Sequence, residues 1–302
     1  MQTFLDLARQ GKNEWWRYVL AVVLILFMWQ ILGAMPSAFL LFVTFLRLGS
    51  KALDLPINPA TSYTAAGFVA IMLASVFFMG GIYLALRFIH RRPFRTLVTA
   101  SPRLDWRRLL QGFGVWFGLA ALMSGLEALL YPGRYVWTNN LGHFLPFVAL
   151  ALLFIPIQTS AEELFFRSYV LQGVGLRLRN IWLLSAISGV LFGLPHLLNP
   201  EASINYPLLA LYYISFGFAL AYITLREGRL ELALGAHAAN NLFSVLIANY
   251  AVTALPSPSL FSIRTLDAVF SVPVALLGLL VFIYLFIGPW RRESSDKPAM
   301  EH

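Results

Sequence analysis

Cysteine is missing from all 302 residues. Disulfides, a thiol nucleophile and every cysteine-ligated zinc site are excluded with it. Charge is scarce as well. Only 12% of residues are Asp, Glu, Lys or Arg, half of the roughly 25% of an ordinary soluble domain. Hydrophobic residues make up 59% and the mean hydropathy is +0.72. Such a chain is too apolar for a disordered protein or for a soluble monomer. It reads as a single all-α transmembrane domain spanning 1–302, with no internal repeat, low-complexity tract or second domain. The net charge of +8 then reflects basic loops rather than nucleic-acid binding.

Several hydrolytic motifs are absent too. No His-Glu-x-x-His is present, so that zinc-protease signature is excluded. The five aspartates lie outside the interiors of the apolar runs, which removes an aspartyl pair within the membrane. Ala186-Ile187-Ser188-Gly189 lacks the first glycine of a rhomboid-like Gly-x-Ser-Gly. Ser188 is read as a packing position, since small residues serve helix contacts in membranes.

Apolar runs of about 20 residues predict eight spans, near 19–46, 64–89, 109–131, 145–172, 181–198, 206–224, 230–251 and 267–289. The first run is too long for a signal h-region of about 7–15 residues and is read as an uncleaved span. Trp15, Trp16 and Tyr18 precede it as an interfacial belt. Segment 1–18 is expected to be cytoplasmic or interfacial, with 1–14 either along the surface or frayed. The tail 291–302 is expected to be a polar cytoplasmic end. Basic residues sort by side. The N-terminus, the even-numbered loops with Arg87 at their edge, and the C-terminus hold 17. The odd-numbered loops hold 4, and Arg167 lies within a span. This asymmetry predicts cytoplasmic termini. The basic run from His90-Arg91-Arg92 to Arg107-Arg108 is its strongest anchor.

Ionisable side chains inside spans are costly and mark functional sites by default. Glu127, Glu162, Glu163, Arg167, His196 and His237 qualify, joined by Asn240 and Asn241. Glu163 and Arg167 stand at i, i+4 and pair on one face, whereas Glu162 is turned about 100° away and stays free to take a proton. Phe192 and His196 share a face just where Pro195 should bend or end its helix. His237 and Asn241 share another and offer two donors to a developing oxyanion. Counting 1.5 Å per residue from the turn near Arg177–Asn180 puts Glu163 and His196 at matched depth. To bring His237 to the same level, that turn must project about 10 Å into the cytoplasm, which places the site in the cytoplasmic half. Two glutamates and two histidines could hold a metal, or Glu and His could activate water as a general base. Glu127 fits no motif and is read as snorkelling or pore-lining. His143 is read as a surface residue, His90 as part of the basic loop, and Gly114/Gly118 as a small-xxx-small packing signal.

Glu-Glu-x-x-x-Arg at Glu162, Glu163 and Arg167, Phe-x-x-x-His at Phe192 and His196, and His-x-x-x-Asn at His237 and Asn241 resemble the three motifs of the CPBP family. These are the intramembrane endopeptidases that process CAAX proteins and bacteriocins, also called the type II CAAX prenyl endopeptidase or abortive-infection family. The resemblance covers about 155–245. It implies an eight-helix bundle with a polar cavity open toward the cytoplasm and bilayer. It also implies a glutamate-type peptidase in which Glu162 and His196 activate water and His237 and Asn241 hold the oxyanion. Glu163 and Arg167 would support the site and Phe192 would shape it. The implied substrate is a membrane-associated protein or peptide, lipidated or not, in a bacterial-type cell membrane. No cofactor is expected, with zinc or another divalent metal left open. The competing readings are a proton-coupled transporter using Glu162, His196 and His237 as a relay, and a catalytically silent membrane partner. A transporter would commonly carry an inverted repeat.

Overall fold

The computed structural model describes residues 4–49, 65–101, 103–138 and 141–289. The tail 291–302 lies outside them. The chain is a polytopic helical bundle. Among the described residues, six helices are long and apolar enough to cross a membrane: α1 (Trp15–Leu48), α2 (Ala65–His90), α3 (Trp106–Leu130), α4 (Leu141–Val174), α6 (Tyr206–Glu227) and α8 (Ala268–Ile287). Two more helices are shorter, the apolar α5 (Ile181–His196) and the more polar α7 (Glu231–Leu242). The expected spans 19–46, 64–89, 109–131, 145–172, 206–224 and 267–289 correspond to the long helices.

The expected spans 181–198 and 230–251 do not reach membrane length. The sixteen residues of α5 extend roughly 24 Å against a hydrocarbon core of about 30 Å. Pro195 ends that helix at His196, as its missing N–H and ring clash require. The twelve residues of α7 continue only through a five-residue π turn, Phe243–Ile247. The chain then becomes extended.

Helix starts are set locally. Asp105, Asn180, Asn205 and Asp267 each accept a hydrogen bond from the backbone N–H three residues on. Each cap contributes about 1 kcal/mol. Between the helices lies a small sheet that hydropathy gives no sign of. It contains β1 (Tyr135–Trp137), β2 (Ala248–Tyr250) and β3 (Phe261–Ile263) in the order β1-β3-β2. β1 runs antiparallel and β2 parallel to β3. β2 takes the last residues of what hydropathy reads as the seventh span.

Lipid tails are as apolar as leucine, so helices in a membrane associate through close packing rather than hydrophobic exclusion. The α3–α7 and α5–α6 pairs are the most extensive. A Cβ on Gly235 would lie 2.0 Å from the Leu109 carbonyl, and one on Gly112 would lie 2.4 Å from that of Leu232. Glycine is required there because backbone meets backbone. Gly114 and Gly118 face open space, so the expected small-xxx-small packing is not made by them; Gly112, outside that spacing, makes the close approach. Ser188 is a packing residue, its Oγ donating to the Phe166 carbonyl at 3.0 Å. One aromatic core, including Phe78, Trp116, Phe165, Tyr169, Phe216 and Phe282, fills the bundle's middle. Large apolar side chains such as Leu122, Leu129 and Phe39 point outward on the helices. That lipid-compatible surface belongs to an integral membrane protein.

The two ends of the bundle differ. At one end the N-terminal segment and the loops after α2, α4 and α6 interlock. Lys12 N donates to the His90 carbonyl (2.7 Å) and Leu230 N to that of Val98 (3.0 Å). Arg92 binds Gln172 (2.8 Å), Arg108 binds Glu227 (2.5 Å) and Arg179 binds Asp6 (2.7 Å). Most of the chain's cations gather here, so this is called the basic end. Two expectations need correction. The 3-10 turn Leu5–Gln10 is neither frayed nor lying on a surface: Phe4, Leu5, Leu7 and Ala8 are buried, with Leu5 in a cluster with Leu171 and Leu184. His90 is not a loop residue but a buried strut, its ring bonded to the Lys12 carbonyl and the Tyr169 hydroxyl. His143 is exposed, in the first turn of α4. The opposite end carries the sheet. There Glu127 is buried and paired with Arg134 (2.7 Å), so it does not snorkel.

Candidate active site

The Glu-Glu pair sits near the middle of α4, where the helix widens. The α-helical ladder runs to Glu163 and a π turn follows over Leu164–Val170. Such turns recur at functional sites because they redirect side chains within an otherwise regular helix. Glu163 and Arg167 are both fully buried, with Arg167 Nη1 3.1 Å from Glu163 Oε1. The guanidinium also lies over the Phe192 ring, 3.9 Å from its centre. No aligned hydrogen bond to its nitrogens occurs among the described residues, so charge and the ring face hold it.

Glu163 does more than the spacing suggests. Its Oε1 is also 2.6 Å from His237 Nδ1. An ionised carboxylate only accepts, so Nδ1 carries the proton. His237 Nε2 is thereby turned to Glu162, whose Oε2 is 3.6 Å away. That oxygen makes no hydrogen bond among the described residues. The two adjacent glutamates therefore flank one imidazole from opposite sides. His196 is fixed in the same way. Its Nδ1 is 2.7 Å from the Phe192 carbonyl, which accepts only, so its Nε2 keeps the lone pair. Phe192 and His196 share a face as expected, with ring centres 4.3 Å apart.

The amides form a chain with a direction. An indole N–H can only donate. Trp116 Nε1 donates to Asn240 Oδ1 (3.2 Å), as does the Tyr212 hydroxyl (3.3 Å). Asn240 Nδ2 then donates to Asn241 Oδ1 (3.0 Å), and Asn241 Nδ2 to Gln158 Oε1 (2.9 Å). Gln158 Nε2 donates to Glu162 Oε1. The donor-only indole sets the polarity of the series, and the series ends on Glu162 as an acceptor. Trp116 and Gln158 escape sequence reading. Tryptophan is ordinary in a membrane core, and a neutral glutamine does not register as a buried charge. Gln158 is nonetheless one helical turn before Glu162 on the same face, and that spacing is a usable signal.

Glu162, Gln158, His196, His237, Asn240 and Asn241 line a single cavity of about 470 Å³, the size of an ordinary ligand site. It extends past Tyr212 and Tyr213 to Glu127, Glu201 and Tyr250 at the sheet-bearing end. Glu201 sits in the loop after α5. There it accepts from the Tyr213 hydroxyl (3.0 Å) and Ala254 N (2.8 Å). Burial raises its carboxyl above the usual range, against the pull of those bonds. Toward the basic end the site is closed by Phe192, Phe166 and the Arg167–Glu163 pair, all buried. The depth counted from the Arg177–Asn180 turn agrees with the geometry: Glu162 and His196, on antiparallel neighbouring helices, line the same cavity. As for a metal, Glu163 Oε1 is shared by Arg167 and His237. No group of three acid or imidazole side chains among the described residues is arranged to hold an ion.

Residues 141–243, which hold all of these motifs, match the family described as type II CAAX prenyl endopeptidase Rce1-like. The chain is also 35% identical over 235 residues to "Uncharacterized protein YyaK" of Bacillus subtilis (strain 168), covering 78% of each protein. The chain belongs to the Rce1-like family. Membership supports peptidase activity of the CAAX-type intramembrane class, on membrane-bound protein substrates in a lipid bilayer. In this Rce1-like chain the polar residues of three helices, α4, α5 and α7, meet around one cavity, and two more, α3 and α6, orient them.

Proposed function

We propose that the chain is a glutamate-type intramembrane endopeptidase. Glu162 and the lone pair of His196 Nε2 accept the proton of an attacking water, and oxygen attacks the scissile carbonyl. His237, its ring fixed through Nδ1 by Glu163, turns Nε2 to the cavity. It supports the oxyanion together with Asn241. The proton taken by Glu162 or His196 returns to the leaving amine as the C–N bond breaks. Glu163 and Arg167 position His237, and Phe192 carries the Arg167 guanidinium on one side and the His196 ring on the other. A membrane-tethered protein or peptide is the substrate.

The observation that carries this reading is the arrangement around His237. One carboxylate is spent on Nδ1, while a second, with an oxygen free of hydrogen bonds, lies 3.6 Å from Nε2. Two carboxylates in different roles around one imidazole suit acid–base work, and a purely structural ion pair would need only one of them.

The test is cleavage of a peptide library in detergent by purified wild type, Glu162→Ala and His196→Ala. General acid–base groups contribute about 10²–10⁴-fold, so both variants should fall by that amount while remaining folded. Cleavage retained in both removes the residue assignment. A parallel assay after verified metal removal should leave turnover unchanged; a loss restored by adding the metal back overturns the metal-free route.

A further inference from the structure

His196 is the last residue of α5. No further helical turn follows to confine its side chain, and the last carbonyls of a helix lack partners within it. A base that must present one lone pair to a water needs firmer support than that. A misplacement of about 1 Å costs about 10²-fold in rate. The contact of Nδ1 with the Phe192 carbonyl, at 2.7 Å, fixes one point of the ring and leaves it free to turn about that point. A second ring supplies what is missing. Tyr213, on α6, packs against the imidazole with centres 5.0 Å apart.

Tyr213 is itself tied down. Its hydroxyl donates to Glu201 Oε1 at 3.0 Å. Asn199 Nδ2 donates to the same oxygen at 3.3 Å, and Asn199 N donates to the His196 carbonyl at 3.1 Å. The contacts close a circuit: His196 to Asn199, to Glu201, to Tyr213, and back to His196. Ala254 N donates to Glu201 Oε2 at 2.8 Å, which clips the segment after β2 onto the same carboxylate. All three groups are donors, as an acceptor-only carboxylate requires. Glu201 stands on the 3-10 turn Pro200–Ile204, whose Ala202 is fully buried in a cluster with Leu209, Tyr213 and Val272. It is not needed to cap α6, because Asn205 does that. We propose that Glu201 and Tyr213 are positioning residues that hold the His196 ring in the orientation from which its Nε2 takes the proton of the attacking water. The proposal rests on the peptidase reading for the reaction, while the circuit itself is a matter of geometry. Both residues lie outside the three sequence motifs.

The test uses the full chain in detergent with a peptide that wild type cuts. Glu201→Ala opens the circuit and should lower kcat about ten- to hundredfold with little change in KM. Tyr213→Phe keeps the ring and removes only the hydroxyl, so it should act in the same direction but more weakly. Each substitution is then repeated in the His196→Ala background. A residue that acts through His196 has nothing left to position there, so neither should reduce the residual cleavage further. A loss of the same size in that background means a general brace of the fold, and it overturns the proposal, as does full kcat in both single variants. A second readout needs no catalysis. The chain has five histidines, so its isotope-labelled histidine NMR spectrum is sparse, and the His196 ring signal is the one that disappears in His196→Ala. Glu201→Ala should shift that signal, since the Tyr213 ring beside it moves, and leave His90 at the basic end in place. An unmoved His196 signal overturns the proposal and leaves the peptidase reading standing. No cleavage by wild type overturns the peptidase reading, while the His196 signal still decides whether Glu201 and Tyr213 hold the ring.

Discussion

The fully buried Arg167–Glu163 pair makes the sharpest energetic prediction. Removing one partner of a buried ion pair leaves an uncompensated charge and costs about 3–5 kcal/mol. Arg167→Met strands the Glu163 carboxylate with only His237 Nδ1 beside it. Glu163→Gln strands a guanidinium that has no aligned hydrogen bond among the described residues and only the Phe192 ring at 3.9 Å. Each single variant should therefore lose about 3–5 kcal/mol. The double variant removes both charges from a dry site and should lie near wild type, since apolar replacement of a buried pair is often neutral or stabilising. The double thus falls short of the summed singles by about 6–10 kcal/mol. Reversible unfolding in mixed detergent and SDS, followed by tryptophan fluorescence, measures all four proteins. Additive losses would refute the idea that the pair is one electrostatic unit. Activity adds a second readout. The amide introduced by Glu163→Gln still offers a carbonyl oxygen to His237, so the double variant should recover stability while the altered charge beside His237 lowers kcat.

Three further outcomes follow from other contacts. Gln158→Leu removes the last donor of the amide chain. A hydrogen bond to a charged group contributes about 1.5–3 kcal/mol, so kcat should drop about ten- to hundredfold with little change in KM, read by steady-state cleavage. Gly235→Ala forces a Cβ to within 2.0 Å of the Leu109 carbonyl and should cost about 1–3 kcal/mol. Gly114→Ala, facing open space, should be neutral or gain up to about 1 kcal/mol; equal thermal shifts in the two variants would contradict the packing described. Asp105 is held below the usual carboxylate range by the Arg108 N–H and by Arg229. A lowered folded value means its contribution is complete above the unfolded value and disappears as pH falls through the folded one. Amide exchange at 98–105 and 228–231 should therefore quicken below about pH 4, and Asp105→Asn should abolish that acid response.

Much of this was legible from residue order. Long apolar runs located six of the helices, because membrane length is a constraint on sequence itself. Pro195 marked the end of α5, and Glu163–Arg167 were legible as an i, i+4 pair. The shared role of Glu163 was hidden because its second partner, His237, comes from a helix 74 positions away. The sheet was hidden because three-residue strands carry no periodicity. The buried N-terminal turn was hidden because short amphipathic segments look alike on a lipid surface and on a protein surface.

The docked N-terminal turn has a consequence for assembly. Leu171, Arg179 and Leu184, which hold Leu5–Gln10, are made about 170 residues after it. At about 5–20 residues per second, that is a delay on the order of ten seconds or more. Throughout it the first span must wait in the bilayer with its leading segment undocked. Closure of the basic end is thus a late event in biogenesis, and the Leu5–Gln10 turn joins the fold only after α5 has begun to form.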